Sequence, residues 1–552
     1  MDRIYPVYNA FRHSRLLHGN WHFAFDRHEL NWEKQIPKGM MVTVPSDLQD
    51  NFIDLGDRQY ASSMWFERHE FIPKEWLGEI LQLHFDGIGR RAIIYVNGME
   101  VGHHNGVFIP VVFDITRHIR YGEENQIIVK VNNEIRPFEL PTGHVKVAPI
   151  GDKPNVRHVD YHVPSGLYDS VYITVAPQNR MIDVSFQIEE ATPEKAVVSY
   201  VATIKGNCLV TAILRDQEGR VVATGVGGNG RLSLDSPHLW TVGDGYLYRV
   251  DFDVSRLGKQ HDTYSVPLGI RTVQMQKGMY YLNGAPIRLQ GIRLQGHHVD
   301  SVSKTPMVVR REMSRLLSLG GNCMYSGGYP LPQFVLTMAD EMGILIIDEF
   351  PAAGLGVKHV GDLENRQKSF YCGTDAKLRI LPSHVEMIKS LMESHKNHPS
   401  IIGWSLIHEP GLVLEADESY FATIVETAKA LDPEHRPLIM TTRQKSDDIH
   451  KSVVKLFDCL IISQWSDARH NEQDITEGLR DWQAAYPELP LVVRLAEVND
   501  NTLYMSPAEC MAMNEHYMLR QLKALNAIGV VCGEFLESVD FTYGGTIKDC
   551  WK

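Results

Sequence analysis

From residue 287 onward the chain carries eight short apolar runs, each of a length suited to a buried strand. They are IRLQGI (287–292), NCMYS (322–326), GILIIDEF (343–350), IIGWSLIHE (401–409), LIMTTR (438–443), CLIISQW (459–465), LVVRLAE (491–497) and VVCGEF (530–535). Segments with helical periodicity, at 310–318, 332–341, 383–397, 417–431 and 507–526, separate most of them. Buried strands that alternate with amphipathic helices form a parallel sheet, and eight such units complete a (β/α)8 TIM barrel. The stretch 352–381 is long for a strand-to-helix connection and falls on the face where such barrels bind ligands, so a lid or a subunit contact is expected there. Little chain follows the eighth run before Lys552, which predicts a barrel that another copy of the chain caps, or one trimmed in its last helix.

The first 280 residues have a different texture. Between Trp21 and about Ala176, alternating segments such as LQLHFDGIG, AIIYVNGMEVGHH and NQIIVKVNN are divided by turn signals, the pattern of an antiparallel sandwich. Asn97-Gly98 predicts a type I′ hairpin turn, because both residues tolerate positive φ. A second β-rich stretch, 178–273, has the length of an immunoglobulin-like sandwich and offers no cluster of reactive side chains. The expected fold class is therefore multidomain β plus α/β, with boundaries at 1–177, 178–273 and 274–552.

Bulk properties exclude some partners. The net charge of −13 comes from scattered acids, so a nucleic-acid or anionic-membrane partner has no electrostatic support. Seven cysteines (Cys208, Cys323, Cys372, Cys459, Cys510, Cys532 and Cys550) include no CxxC pair and predict free thiols in a reducing compartment. Met1 to His22 holds no continuous apolar segment, and no run approaches the ~18 residues that span a bilayer, so a cytoplasmic location is expected.

Chemistry in such a barrel sits at the C-terminal ends of the strands, where five acids qualify: Asp348, Glu349, Glu409, Glu497 and Glu534. Glu409 ends the apolar run IIGWSLI and precedes Pro410-Gly411. Apolar walls around it would raise its pKa by desolvation and suit a general acid, whereas a salt-bridged strand-end Glu is the plainer alternative. His408 could titrate near neutrality or serve as a hydrogen-bonded scaffold residue. Asp348-Glu349 could work as a carboxylate pair or hold arginines and loop amides. His297, His298 and Asp300 have the composition of a metal site, but adjacent histidines on an extended segment point apart, and no metal or cofactor is expected. The sequence contains no phosphate-binding loop, dinucleotide glycine pattern or serine-hydrolase elbow.

Longer motifs carry a family resemblance across nearly the whole chain. They include MWFERHEFIPKEW, HFDGIGRRAIIYVNGMEVGHHNGVFIPVVFDIT and HVDYHVPSGLYDSVYI in the first region, SPHLWTVGDGYLY and PLGIRTV in the second, and YYLNGAPIRLQGI, ADEMGILIIDE, KNHPSIIGWSLIHEP and ALDPEHRPL in the third. The chain resembles the family 2 glycoside hydrolases, and within them the β-glucuronidases most closely. The resemblance implies a jelly-roll sugar-binding-like sandwich, an immunoglobulin-like sandwich and a catalytic-like TIM barrel. It places Glu409 on the family's general acid/base, and Asp160, in HVDYH with His162, on the first-domain aspartate that reaches the sugar.

Other positions depart from the family pattern. His408 replaces the asparagine before the acid/base, and Leu495 falls on the nucleophile position, where leucine cannot form a glycosyl–enzyme bond. Tyr325 and Gly328 stand for the family's Arg and His, Ser463-Gln464-Trp465 for Asn-Arg-Tyr, and Leu536-Glu537 for Trp-Asn. The Asn-x-Lys motif that grips the glucuronate carboxylate has no counterpart before Lys552. Losses concentrated on the site, with scaffold motifs intact, suggest repurposing.

Three functions remain open on the sequence. A glycosidase could persist if Glu497 swings in beside Glu409 for retention, which needs carboxylates about 5 Å apart, or if Glu534 or Glu537 acts as a base across roughly 6.5–9.5 Å for inversion. Alternatively, Tyr325, Trp465, Leu495 and Leu536 make an apolar mouth for a less hydroxylated, natural-product-like ligand, with Glu409 and His408 as acid and base. The third is a non-catalytic binding or assembly module. Across these readings the expected ligand contacts are Asp160, His162, Tyr325, Gln464, Trp465, Leu495 and Glu537, the ligand is a small glycoside or glycoside-like molecule, and a homo-oligomer is expected.

Overall fold

The structure is a computed structural model that describes residues 4–5, 7–37, 39–58, 60–146, 154–159, 162–276, 278–294, 305–355, 370–443, 445–464, 472–495 and 531–536. Two β-sandwiches precede a closed barrel of eight strands.

In the first sandwich a six-stranded antiparallel sheet, with Ser63–Ile72 and Glu123–Asn132 at its centre, faces a four-stranded sheet built on Ile80–Phe85 and Val171–Ala176. Alternation sets the faces: Trp21, Phe23, Phe66, Leu83, Val129 and Ile173 enter one core, and the residues between them point away. Asn97 and Gly98 have φ of 53° and 76° and join Arg91–Val96 to Met99–Asn105, the expected hairpin turn. The second sandwich packs a three-stranded sheet on a four-stranded one around Phe186, Tyr200 and Phe252.

Both sandwiches grip the barrel. From the second, Asp183 pairs with the barrel's Lys396 at 2.7 Å, and Arg271 donates to the carbonyls of Pro399 at 2.8 Å and Ile401 at 2.9 Å. From the first, the Thr142 amide and hydroxyl donate to the carbonyls of Ala353 at 3.1 Å and Gly354 at 2.6 Å. Phe108, Leu140 and Val163 join the barrel's own apolar cluster, so this part of the first sandwich sits over the end of the third barrel strand.

The barrel strands are, in order, Leu289–Arg293, Cys323–Tyr325, Leu345–Glu349, Ile401–His408, Leu438–Thr442, Cys459–Gln464, Leu491–Leu495 and Val531–Leu536, all parallel, with the eighth pairing to the first. Each lies within one of the eight apolar runs or overhangs it by a residue. Two apolar clusters divide their faces. Leu289, Cys323, Tyr325, Ile347, Ile402, Ile439, Ile461, Val492 and Phe535 fill the lumen and are closed below by Tyr280, from a short three-stranded sheet of 273–287. Ile292, Met324, Ile346, Trp404, Leu406, Met440, Ile462, Val493, Leu495 and Leu536 pack outward on the helices.

The fourth strand breaks this period-two rule. A register shift between Ser405 and Ile407 against the fifth strand puts Leu406 and Ile407 both in the outer cluster. This bulge turns His408 back to the lumen, where the side chain of Ser405 also sits.

Of the expected lid, residues 352–355 are buried beneath the first sandwich, and Tyr371 packs on Tyr420 and Phe421 with its hydroxyl donating to the Pro410 carbonyl at 2.7 Å. Both described ends are therefore anchored to the barrel, and 356–369 lie outside the described residues. The cysteines at 208, 323, 372, 459 and 532 are free thiols. No described helix is long and apolar enough to cross a membrane.

Candidate active site at the barrel mouth

Residues on the lumen face of adjacent strands build a polar network above the apolar floor. Glu349, from the third strand, is fully buried and accepts hydrogen bonds from Tyr325 Oη at 2.6 Å and Ser405 Oγ at 2.6 Å. His408 Nδ1 donates to the same carboxylate at 2.9 Å. Thr441 Oγ1 lies 3.1 Å from both the Tyr325 and the Ser405 hydroxyl, which ties strands two to five together. Burial pushes the Glu349 carboxyl up, but the facing His408 and these hydrogen bonds outweigh it and hold Glu349 below the ordinary carboxylate range. Burial likewise pushes His408 down, yet Glu349 and Glu409 outweigh it and hold the imidazole above its ordinary value. The two shifts agree in direction, each group favouring the charged form of the other.

Glu409 follows directly, in a left-handed conformation with φ of 53° and its amide donating to the Thr441 carbonyl at 2.8 Å. A non-glycine residue in that region is uncommon and marks a position the surroundings enforce. Its side chain is 17% exposed and ion-paired with Arg443, and its Oε1 lies 3.6 Å from His408 Nε2 and 3.8 Å from Arg494 Nη1. The apolar walls expected around Glu409 are thus replaced by two guanidinium groups. Arg443 and Arg494 were not among the residues expected at the site. A lone arginine inside the buried run LVVRL was the available signal, since an unpaired charge is not left in a strand core.

Several other expected site residues lie elsewhere. Leu495 is 1% exposed on the helix-facing side with Leu479 and Trp482, because the strand's lumen positions are Val492 and Arg494. Glu534 also faces outward, next to the inward Phe535, and pairs with Arg288 at 2.9 Å, so it is not a base opposite Glu409. Burial raises its pKa and Arg288 only partly offsets that. Tyr325 is wholly buried under the network and stacked on Phe535, a support for Glu349 and not a wall of an open mouth. His162 is nearly buried within the first sandwich, paired with Asp47 and 3.1 Å from Arg157 Nη1. Leu536 joins the outer cluster. Asp348 turns outward to His395 at 2.7 Å, a structural pair. Gln464 ends the sixth strand. Asp160, Trp465, Glu497, Glu537 and the His297, His298, Asp300 group lie outside the described residues, among which no cluster of metal-ligating side chains occurs.

Leu495→Glu provides a check on this parity. The new carboxylate would enter an apolar helix layer, so we expect a stability loss of about 2 kcal/mol and no gain of glycosidase turnover. Urea unfolding and an aryl glycoside assay measure the two; a stable variant with new turnover would place residue 495 in the lumen.

Comparison with known proteins shows matching architecture from end to end. Three family profiles match in succession: the sugar binding domain of glycosyl hydrolases family 2 over residues 14–177, glycosyl hydrolases family 2 over 169–271, and the TIM barrel domain of the same family over 273–498. A β-glucuronidase of Streptococcus agalactiae is 25% identical over 507 residues, covering 89% of this chain and 83% of that protein. The human β-glucuronidase is 27% identical over 468 residues, covering 78% and 69%. The structure of Ruminococcus gnavus β-glucuronidase superposes with a TM-score of 0.92 at 26% identity, covering 100% of this chain and 99% of that one. A second structure of that enzyme, in complex with D-glucuronic acid, gives 0.90 at 26% identity with full coverage of both chains.

Proposed function

The chain belongs to the family 2 glycosyl hydrolases and is most like their β-glucuronidases, and from that premise we propose that its barrel mouth performs proton transfer on a sugar-acid glycoside, with Glu409 as the group that exchanges the proton. One observation carries this reading. Glu409 keeps solvent exposure at a strand end while touching both a buried imidazole and the guanidinium of Arg443. Of the other strand-end acids described, Glu349, Asp348 and Glu534 are at most 2% exposed.

Arg443 and Arg494 suit the carboxylate of a sugar acid, which a guanidinium recognises through charge-assisted hydrogen bonds. Neither they nor Leu495 can form a glycosyl–enzyme bond. The reading is therefore direct displacement by water: Glu409 protonates the leaving oxygen, and a carboxylate on the opposite side takes the proton of the attacking water. With Glu534 turned outward onto Arg288, Glu537 is the candidate for that base by sequence, and its position lies outside the described residues.

The test compares initial rates on 4-nitrophenyl β-D-glucuronide, β-D-glucoside and β-D-galactoside. We expect the glucuronide to be preferred by about 100-fold in kcat/KM, the equivalent of two charge-assisted hydrogen bonds of about 1.5 kcal/mol each. Equal rates on the neutral sugars would remove the arginines from substrate recognition, and no turnover of any of the three would remove hydrolysis. A second reading, acid/base chemistry on a ligand with no glycosidic bond, is favoured by Arg494 on the lumen face of the seventh strand, beside Leu495, the position on which the family resemblance puts the nucleophile.

A further inference from the structure

Two buried polar atoms in the site face each other without bonding. His408 Nε2 and Glu409 Oε1 are both enclosed, neither has a hydrogen-bond partner among the described residues, and they stand 3.6 Å apart. Buried polar groups are almost always satisfied, and one left open calls for an explanation, of which a catalytic role is one. Catalytic hydrogen bonds are often long in the empty site and tighten when the ligand binds.

The rest of the geometry shows what holds the gap open. Glu409 is drawn toward solvent by its ion pair with Arg443, whose side chain is 29% exposed at the mouth. His408 is fixed from behind, with Nδ1 on Glu349 at 2.9 Å, and Glu349 is pinned in turn by Tyr325 and Ser405. The imidazole cannot move to Glu409 without breaking those bonds, whereas the Glu409 side chain is held on the solvent side by Arg443, with Arg494 Nη1 3.8 Å from the same Oε1 that faces His408.

Resting on the reading of Glu409 as the proton-exchanging group, we propose that Glu409 is a two-position side chain: an anionic ligand that takes the Arg443 guanidinium releases Glu409 onto His408, closing a Glu349–His408–Glu409 relay. His408 is then a positioning residue that also supplies the proton. In the closed state His408 Nε2–H donates to Glu409 Oε1, and when a leaving oxygen is bound against Glu409 that proton passes to Oε1. It leaves a neutral imidazole that still donates through Nδ1 to Glu349, and a neutral Glu409 acid able to protonate the ligand. Solvent restores the proton after release. The charged and titratable groups facing the imidazole are Glu349 and Tyr325 from below, Glu409 beside it and Arg494 from the seventh strand, with Arg443 beyond Glu409. The device ties general-acid competence to occupancy by an anion, so an uncharged ligand would leave Glu409 on Arg443.

The test needs no turnover, which separates it from failure of the hydrolase reading. Full-length chain labelled with [15N]histidine is compared by NMR as wild type, Arg443→Gln and the double variant Arg443→Gln/Glu409→Gln, with the His408 signal assigned by its loss in His408→Asn. Arg443→Gln removes the restraint at a half-exposed side chain, and circular dichroism checks that the variant is folded. We expect a downfield, exchange-protected Nε2–H resonance in Arg443→Gln that is absent from the wild type and from the double variant. Adding D-glucuronate to the wild type should produce the same resonance. A wild type that already shows it, or an Arg443→Gln spectrum that lacks it, overturns the proposal. Removing Arg443 would by itself shift the His408 titration through charge alone, but it would not protect Nε2–H.

Discussion

Glu409→Gln is expected to lower kcat/KM on an aryl β-glucuronide by about 10²–10⁴-fold, the range that positioned proton transfer contributes. Glutamine keeps the shape of the side chain and can still accept from Arg443, so the change removes the exchangeable proton with little else. The size of the loss should depend on the leaving group. A 2,4-dinitrophenolate departs without help, and its glucuronide should lose little. A phenyl or 4-methoxyphenyl glucuronide needs its oxygen protonated and should lose most. Initial rates across such a series measure the slope. A uniform loss at every leaving group would mean that Glu409 acts by placing Arg443 and not by giving a proton, and no loss at all would end the mechanistic reading.

The largest stability effect is expected below the active site, at a buried ion pair that no functional argument uses. Asp432 accepts from Arg436 Nε at 3.0 Å, Arg436 Nη2 at 2.8 Å, the Arg436 amide at 3.0 Å and Trp404 Nε1 at 2.9 Å, and both charged side chains are 1% exposed. Arg436 also stacks over the Trp404 ring at 4.6 Å. Asp432→Ala leaves a guanidinium in the core with the Glu434 carboxylate at 3.7 Å and the Lys396 carbonyl at 3.0 Å. Removing one partner of a buried pair costs about 3–5 kcal/mol, because the survivor's desolvation is no longer compensated. Burial pushes Asp432 up, but Arg436 and the hydrogen bonds from Trp404 and the Arg436 amide outweigh it and bring the carboxyl down to about 2. The folded value lies below the unfolded one of about 3.9, so this contribution is present above pH ~4 and fades as pH falls through ~2. The stability gap between wild type and Asp432→Ala should accordingly be flat from pH 5 to 8 and narrow in acid. Urea unfolding followed by tryptophan fluorescence measures it; a gap below about 1 kcal/mol at pH 7 would show that water or a rearranged side chain compensates Arg436.

Which residues of the site were legible in advance follows from the range of the interactions involved. That Glu409 would stand at a strand end was legible because its signal is local: an apolar run that stops at an acid followed by Pro-Gly. His408 was noticed, but its role depends on Glu349, fifty-nine positions away, and on a bulge at Leu406 that no periodicity announces. Leu495 and Glu534 were misjudged for the same reason in reverse. Facing along a strand alternates with every residue, so a one-position error in register exchanges lumen for helix layer, and Arg494 and Phe535 hold the lumen positions beside them. Arg443 was visible as the last residue of LIMTTR, but only its ion pair with Glu409 shows that it matters.

The sequence alone determined the architecture: two alternating sandwiches and eight buried strands spaced by helices. Those features rest on apolar spacing of two or of three to four residues, which each segment carries within itself. Tertiary structure decided the make-up of the candidate site, by choosing through bulge, register and a left-handed Glu409 which strand-end side chains share the lumen. Those choices come from pairing between strands far apart in the chain, so no local pattern encodes them.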